Sequence, residues 1–204
     1  ELILCSGWLD KGYVRLCRKW KSKIPTVVAF DNKWSGSLRQ RVAAIISPVH
    51  IARAFSHAFV PGVSQKNFAL KLGFENSSIK TGLYTADTKK FGTYFTERQV
   101  ELVNEPSKKR ILYLGRYVRY KGIFEMWDAF VKFRRTHPDW ELWCVGTGDQ
   151  FDNRVQENGI KHFGFVQPAD MLPILKQTTI YILPSHVEPW GVSVQEMAIA
   201  GFPL

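Results

Sequence analysis

Arg110-Ile111-Leu112-Tyr113-Leu114 runs straight into Gly115-Arg116-Tyr117-Val118-Arg119-Tyr120-Lys121-Gly122, and behind that turn Ile123, Trp127 and Phe130 recur at helical spacing. A short apolar run, a glycine-bounded turn and an amphipathic helix over Gly122–Thr136, stopped by Pro138, spell one strand-to-helix unit. The same grammar repeats in both directions. Leu2–Cys5, Thr26–Phe30, Ala58–Val60, Ile79–Tyr84, Trp140–Val145, Ile160–Phe165 and Thr179–Leu183 read as further strands. Gly12–Lys23, Ser37–Phe55, Ser64–Leu72, Asp149–Asn158, Pro168–Gln177 and Gly191–Ala200 read as helices. Strands alternating with helices over about 200 residues predict an α/β chain with parallel sheets, helices on both faces and ligands beyond the carboxyl ends of the strands.

The polar, charged stretch Phe91–Lys109, which contains Pro106, reads as a linker. It divides the chain into a first domain over 1–90 and a second over 110–204. With 45% hydrophobic and 14% aromatic residues there is material for a packed core, and no apolar run approaches the roughly 20 residues of a membrane span. The amino terminus lacks the basic flank of a signal peptide and reads as a buried strand, and the end at Gly201-Phe202-Pro203-Leu204 reads as the start of another; the expectation is a fragment. Three cysteines without a Cys-x-x-Cys pair fit reduced, buried thiols in a cytoplasmic protein. The formal net charge is +10, most of it in residues 1–107 and densest at Lys11–Lys23, where aromatic residues alternate with bases. Such a face suits an anionic membrane surface, a nucleic acid or a phosphorylated acceptor, or is an ordinary solvated helix face.

Three constellations carry chemistry. In Gly115-Arg116-…-Lys121-Gly122, two cations sit in a strand-to-helix turn, where they can bind the oxygens of a diphosphate, Arg116 bidentately and Lys121 as a point charge. Cations preorganised there stabilise a diphosphate leaving group as its bond breaks, although a solvated basic turn has the same sequence. Arg119 falls between them, and the expectation is that it points elsewhere. In Glu188-Pro189-Trp190-Gly191-…-Glu196, two carboxylates stand eight positions apart across a loop-to-helix junction. A glycosidase-like pair needs both on one bond, about 5 to 10 Å apart. Here one lies in the loop and the other more than a turn into the helix, so binding of sugar and ribose hydroxyls is the better use. Capping or surface glutamates are the bland alternative. The turn Gly146-Thr147-Gly148-Asp149 resembles a phosphate-cradling loop without the full dinucleotide spacing and reads as a tight strand-to-helix turn. His186 neighbours Glu188 and could line a pocket; no metal-ligand spacing, Asp-x-Asp, phosphate loop or nucleophile elbow is present. Hydroxyl acceptors beside phosphate-binding cations are what a sugar attached to a nucleoside diphosphate requires.

Together, Gly115-Arg116-…-Lys121-Gly122, Pro184-Ser185-…-Glu188-Pro189-Trp190-Gly191 and Glu196 followed by Ala198-…-Ala200-Gly201-…-Pro203 resemble the retaining glycosyltransferases often called family 4. The resemblance implies a GT-B fold of two Rossmann-like domains, the first on the acceptor side, the second binding the nucleotide-sugar. It implies that Arg116 and Lys121 hold the donor diphosphate, that Glu188 with the amides of Trp190 and Gly191 holds the sugar, and that Glu196 holds the ribose. Phe165 and Val166 would face the base. Asp31 occupies the place where many relatives carry a histidine near the donor sugar. The resemblance further implies transfer with retention, no metal or other cofactor, a glycan or lipid-linked acceptor in cell-surface polysaccharide synthesis, and work in the cytoplasm or peripherally at the inner face of the membrane. Two alternatives stay open: a non-catalytic relative that binds nucleotide-sugar or glycan, and a nucleic-acid-binding module built on the basic half.

Overall fold

A computed structural model describes residues 1–104 and 109–204. The chain divides between Thr85 and Ala86 into two units, each built on its own four-stranded, wholly parallel sheet.

The first unit runs β1 (Ile3–Ser6), α1 (Lys11–Trp20), β2 (Thr26–Ala29), α2 (Leu38–Ile46), β3 (His57–Val60), α3 (Val63–Lys71) and β4 (Ile79–Thr81), with the strands side by side in chain order. Right-handed crossovers that all step the same way put α1, α2 and α3 on one face of the sheet. The side chains chosen at the helix starts explain where those helices begin. Asp10 accepts hydrogen bonds from the amides of Gly12 and Tyr13 at 2.7 and 3.1 Å, and Ser37 accepts one from Gln40 at 3.4 Å. Val28, Val60, Phe68, Ala69 and Leu72 close the core under the helices, with the thiols of Cys5 and Cys17 3.3 Å apart in its floor. Burial, and then the neighbouring Cys5 thiol, push Cys17 up to about 12, so the Cys17 sulfur stays protonated and unreactive.

The second unit comprises α4 (Thr88–Asn104), β5 (Arg110–Leu114), α5 (Ile123–Arg134), β6 (Glu141–Val145), β7 (Ile160–Gly164), α6 (Leu172–Lys176), β8 (Ile180–Ile182) and α7 (Val192–Ile199). Its strand order is β7-β6-β5-β8. From β5 the chain steps outward to β6 and β7, then returns to place β8 on the other side of β5. The reversal sends helices to both faces. Trp127 and Phe130 of α5 pack with Tyr117 and Cys144 on one side; α4, α6 and α7 enclose Tyr94, Leu175, Tyr181 and Met197 on the other. Fully burying an aliphatic or aromatic side chain of this size contributes roughly 1.5–3 kcal/mol, so each face is held by several such increments.

Four readings of the sequence are corrected. The stretch 91–109 is for the most part not a linker: α4 covers Thr88–Asn104, and Phe91 and Tyr94, three positions apart, pack into the second unit's core. Pro106 lies outside the described residues. Asp149–Asn158 is not a helix but a single 3₁₀ turn at Phe151–Asn153, because the chain there stays tied to the loop after β5 through Gln150 N to Tyr117 O at 3.0 Å. The helix expected over Ser37–Phe55 stops at Ile46; Pro48 has no amide to continue the ladder, and a 3₁₀ turn at Ser47–Val49 follows. The strand expected to reach Tyr84 ends at Thr81, before Gly82 turns the chain with φ 99°.

α4 is anchored by a buried cation. Arg98 is 1% exposed, and its guanidinium donates to the carbonyls of Thr178, Thr179 and Gly201 at 3.1, 3.0 and 2.8 Å while stacking 3.6 Å from the Phe202 ring. Burial lowers its pKa to about 10, which still leaves it charged at neutral pH. Arg98→Ala strands those carbonyls in a dry site, where each charge-assisted bond is worth about 1.5–3 kcal/mol. The expected outcome is a loss of at least about 3 kcal/mol in urea unfolding, against little change for Lys132→Ala, whose i,i+4 partner Asp128 is solvent-exposed.

Candidate functional site

The point where strand order reverses, between β5 and β8, is where an open parallel sheet leaves a crevice at its carboxyl edge. Two loops flank it: Gly115–Gly122 after β5 and Pro184–Gly191 after β8. A third, Gly146–Gly148 after β6, supports the first.

These loops touch backbone to backbone. A Cβ on Gly146, whose φ is 134°, would lie 1.9 Å from the Gly115 carbonyl oxygen, and one on Gly122, at φ 69°, would lie 2.1 Å from that of Pro184. Only glycine can stand at either place. Hydrogen bonds finish the joins. Gly115 N donates to Val145 O at 3.0 Å, Tyr117 N to Thr147 O at 2.9 Å, and His186 N to Tyr120 O at 2.9 Å. The glycine turn 146–148 therefore serves close packing: its Gly146 amide is spent on the Gly164 carbonyl at 2.7 Å rather than left for a phosphate.

On this frame the side chains read from the sequence come together in part. The Lys121 ammonium donates to Oε2 of Glu188, across the two loops, and the Ser185 hydroxyl donates to the same oxygen at 3.1 Å. Both members of the ion pair are largely shielded from water, with side-chain exposures of 14% and 27%. Glu188 Oε1 has no such bond among the described residues. Arg116 sits in the first loop with its carbonyl held by the Tyr113 hydroxyl at 2.9 Å; its guanidinium is exposed and makes no hydrogen bond among the described residues. Arg119 turns away, its guanidinium 5.7 Å from the Phe124 ring centre.

Behind Glu188, Gly191 adopts φ 73° and α7 begins with no side-chain cap, so its first amides have no local side-chain acceptor. The indole N–H of Trp190 is also shielded from solvent and has no acceptor among the described residues. Leaving such a donor unpaired costs about 1–3 kcal/mol. Glu196, on α7, is half-buried; burial raises its pKa above the ordinary glutamate range, against a lowering by Lys90 of α4. Both glutamates lie near Tyr181, whose phenol is pushed up to about 12 by burial and then by their charges, and whose hydroxyl donates to Ser193 Oγ at 2.9 Å. Glu188 is tied to Lys121 while Glu196 is held apart on the helix, which suits two separate binding tasks.

The remaining candidates fall elsewhere. Phe165 and Val166 follow β7 at the same carboxyl edge, two strands from β5; Phe165 is exposed and Val166 packs against the core. His186 is exposed and pairs with Glu125 at 3.2 Å. Asp31 belongs to the first unit, where its carboxylate accepts from the Tyr84 hydroxyl at 3.5 Å and its carbonyl from Gln65 at 3.1 Å. Among the described residues no group of three or more His, Cys, Asp or Glu could hold a metal ion. Sequence reasoning missed Ser185, Tyr181 and the Trp190 indole. Ser185 alone had a local signal, three positions before Glu188 in the same loop.

Comparison with known proteins places the fold and the family. Glycogen synthase of Mycobacterium tuberculosis H37Rv is 33% identical over 101 residues, covering 46% of this chain and 24% of that protein. The 2-deoxystreptamine N-acetyl-D-glucosaminyltransferase of Niallia circulans is 32% identical over 108 residues, 48% of this chain and 27% of the relative. The matched stretch thus spans about a quarter of each. Among solved structures, Anabaena HepE in complex with UDP superposes with a TM-score of 0.72 at 15% identity over 100% of this chain and 58% of HepE. Its complex with UDP-glucose gives 0.68 at 16% identity, over 99% of this chain and 58% of HepE. The fold is GT-B. The profile described as "Glycosyl transferases group 1" matches residues 95–204, just over half of the sequence and the whole of the crevice, and the chain belongs to that family.

Proposed function

We propose that this protein transfers a sugar from a nucleoside diphosphate donor to a glycan or lipid-linked acceptor, with retention of configuration and without a metal ion. The observation that carries the reading is the Lys121–Glu188 contact at the strand-order reversal, with the free Arg116 guanidinium in the same loop. A cation for phosphate and a carboxylate for hydroxyls meet where a sugar–phosphate bond would have to lie.

In this reading Arg116 and Lys121 bind the diphosphate and stabilise the charge that grows on it as the bond from the anomeric carbon to the phosphate oxygen breaks. The new bond forms from the acceptor hydroxyl to that carbon, and the hydroxyl proton passes to the departing phosphate. With Oε2 of Glu188 held by Lys121 and Ser185, Oε1 is left to accept from a sugar hydroxyl, helped by the amides of Trp190 and Gly191. Glu196 accepts from the ribose hydroxyls, Phe165 and Val166 face the base, and Asp31, a catalytic candidate, stands in for the histidine that many relatives carry near the donor sugar. The relatives named for glycogen synthesis and for N-acetylglucosamine transfer, and the HepE complexes with UDP and UDP-glucose, support a nucleotide-sugar donor. The setting proposed is cell-surface polysaccharide synthesis, in the cytoplasm and peripherally at the inner face of the membrane. No helix among the described residues is long and apolar enough to cross a membrane.

Calorimetric titration with UDP, GDP and ADP tests the donor site. Saturable binding of one nucleotide, weakened by Lys121→Ala, is expected; binding of none, or binding indifferent to the substitution, refutes it. Under turnover, Arg116→Ala and Lys121→Ala should each lower kcat by about 10²- to 10³-fold. Near-parental rates in both would remove the diphosphate assignment.

Acidification offers a separate check on Glu196. Its raised pKa means that nucleotide binding through the carboxylate weakens as pH falls through a value above the ordinary glutamate range, where Lys90 and the neutral Tyr181 phenol are its neighbours. For stability the sign is opposite. The ionised carboxylate is a cost to the folded state at neutral pH, and the cost disappears as pH falls through the raised pKa towards the unfolded one. Titrations of the parent and Glu196→Gln should therefore differ in the acid limb of nucleotide affinity, with the limb shallower in the variant. Identical limbs would take Glu196 out of the ribose site.

A further inference from the structure

Helix α2 is amphipathic the wrong way round. Gln40, Ala43, Ala44 and Ser47 are its inward side: Ala43 packs on the core, the Ser47 hydroxyl donates to Leu72 O at 2.6 Å, and Gln40 is tied to the preceding loop. Its large aliphatic residues face away. Leu38, Val42, Ile45 and Val49 are 80, 56, 78 and 69% exposed, and at 100° per residue the three within the helix share one narrow stripe opposite the buried side. A soluble surface scatters such residues singly; a continuous stripe of them asks for an apolar partner.

The charge around the stripe selects the partner. Arg41 and Arg39 flank it on either side, and residues 32–74 contain no Asp or Glu at all. The neighbouring α1, on the same face of the sheet, adds exposed Tyr13, Leu16 and Trp20, with Lys23 5.1 Å from the Trp20 ring centre. Tyr and Trp are the residues that settle at lipid headgroup level, and a basic, apolar helix face lies in the plane of an anionic interface. We infer that α2, assisted by α1, is the surface by which this protein binds an anionic lipid bilayer, Leu38, Val42, Ile45 and Val49 entering the acyl boundary while Arg39 and Arg41 meet the lipid phosphates. This deepens the membrane part of the function proposed above and does not depend on the donor site.

The test is co-sedimentation of the full chain with phosphatidylcholine vesicles and with vesicles that also contain phosphatidylglycerol. Binding is expected to the second kind, falling as salt is raised. Ile45→Asp and Arg39→Glu, both at exposed positions, should each weaken it roughly tenfold or more without altering helical content or UDP binding. The inference is overturned by absence of binding at low salt, or by binding that Ile45→Asp leaves intact. It is overturned equally if the stripe proves to be a contact between copies, seen as a dimer in sedimentation velocity that Ile45→Asp dissociates while vesicle binding persists. Loss of UDP binding in the parent with vesicle binding retained would condemn the donor site and leave this surface standing.

Discussion

Two carbonyl oxygens lie where side chains would otherwise begin. The Gly115 oxygen fills the space of a Cβ at residue 146 and the Pro184 oxygen that of a Cβ at residue 122, so the loops after β5, β6 and β8 can approach only as bare backbone. Everything at the crevice follows from that approach. It brings Lys121 of one loop to Glu188 of another, fixes Tyr120 under the amide of His186, and leaves the first turn of α7 beside the joined loops. A single methyl group at residue 122 would push apart the loops that carry cation and carboxylate, before any question of their charge arose.

The crevice itself is set one level lower, by strand order. Because β8 returns to the far side of β5, the loops that follow these two strands become neighbours although nearly seventy residues lie between Lys121 and Glu188. The same return divides the core. Trp127 and Phe130 cover one face of the sheet and the α4, α6 and α7 group the other, the latter pinned by Arg98. Arg98 and Lys121 are both shielded cations, with different partners. Among the described residues Arg98 donates to backbone carbonyls alone and belongs to the architecture; Lys121 answers a carboxylate whose second oxygen has no hydrogen bond there, and so remains open to exchange.

Much of this was legible in the residues. Arg110–Leu114 forms a strand with the bounds read from it, and the basic turn and the Glu188 loop both follow strands, as apolar runs ending in glycine or proline suggested. Periodicity carried α5, since Ile123, Trp127 and Phe130 have only one face to bury. It failed at α4, where charge and a nearby Pro106 masked Phe91 and Tyr94, and where the buried Arg98 looked like solvent-facing charge. It failed again at Asp149–Asn158, where tethering to Tyr117 O overrides a local tendency. The ion pair was illegible because its members had been given separate ligands; nothing short of strand order says that they touch. The outward stripe of α2 was hidden for a related reason. Spacing reveals that a helix has an apolar face, but not which way that face is turned.

The joined loops have a consequence for how this crevice can change over evolutionary time. Substitutions in Gly115–Gly122 and in Pro184–Gly191 share contacts, so their effects cannot be independent, and a change tolerated in one background will be rejected in another. New binding preferences at the crevice should therefore arise as linked pairs of replacements across the two segments, and a chimera that exchanges one segment alone inherits a mismatch at Gly122 and Pro184. The two stretches, far apart in the chain, form one heritable unit.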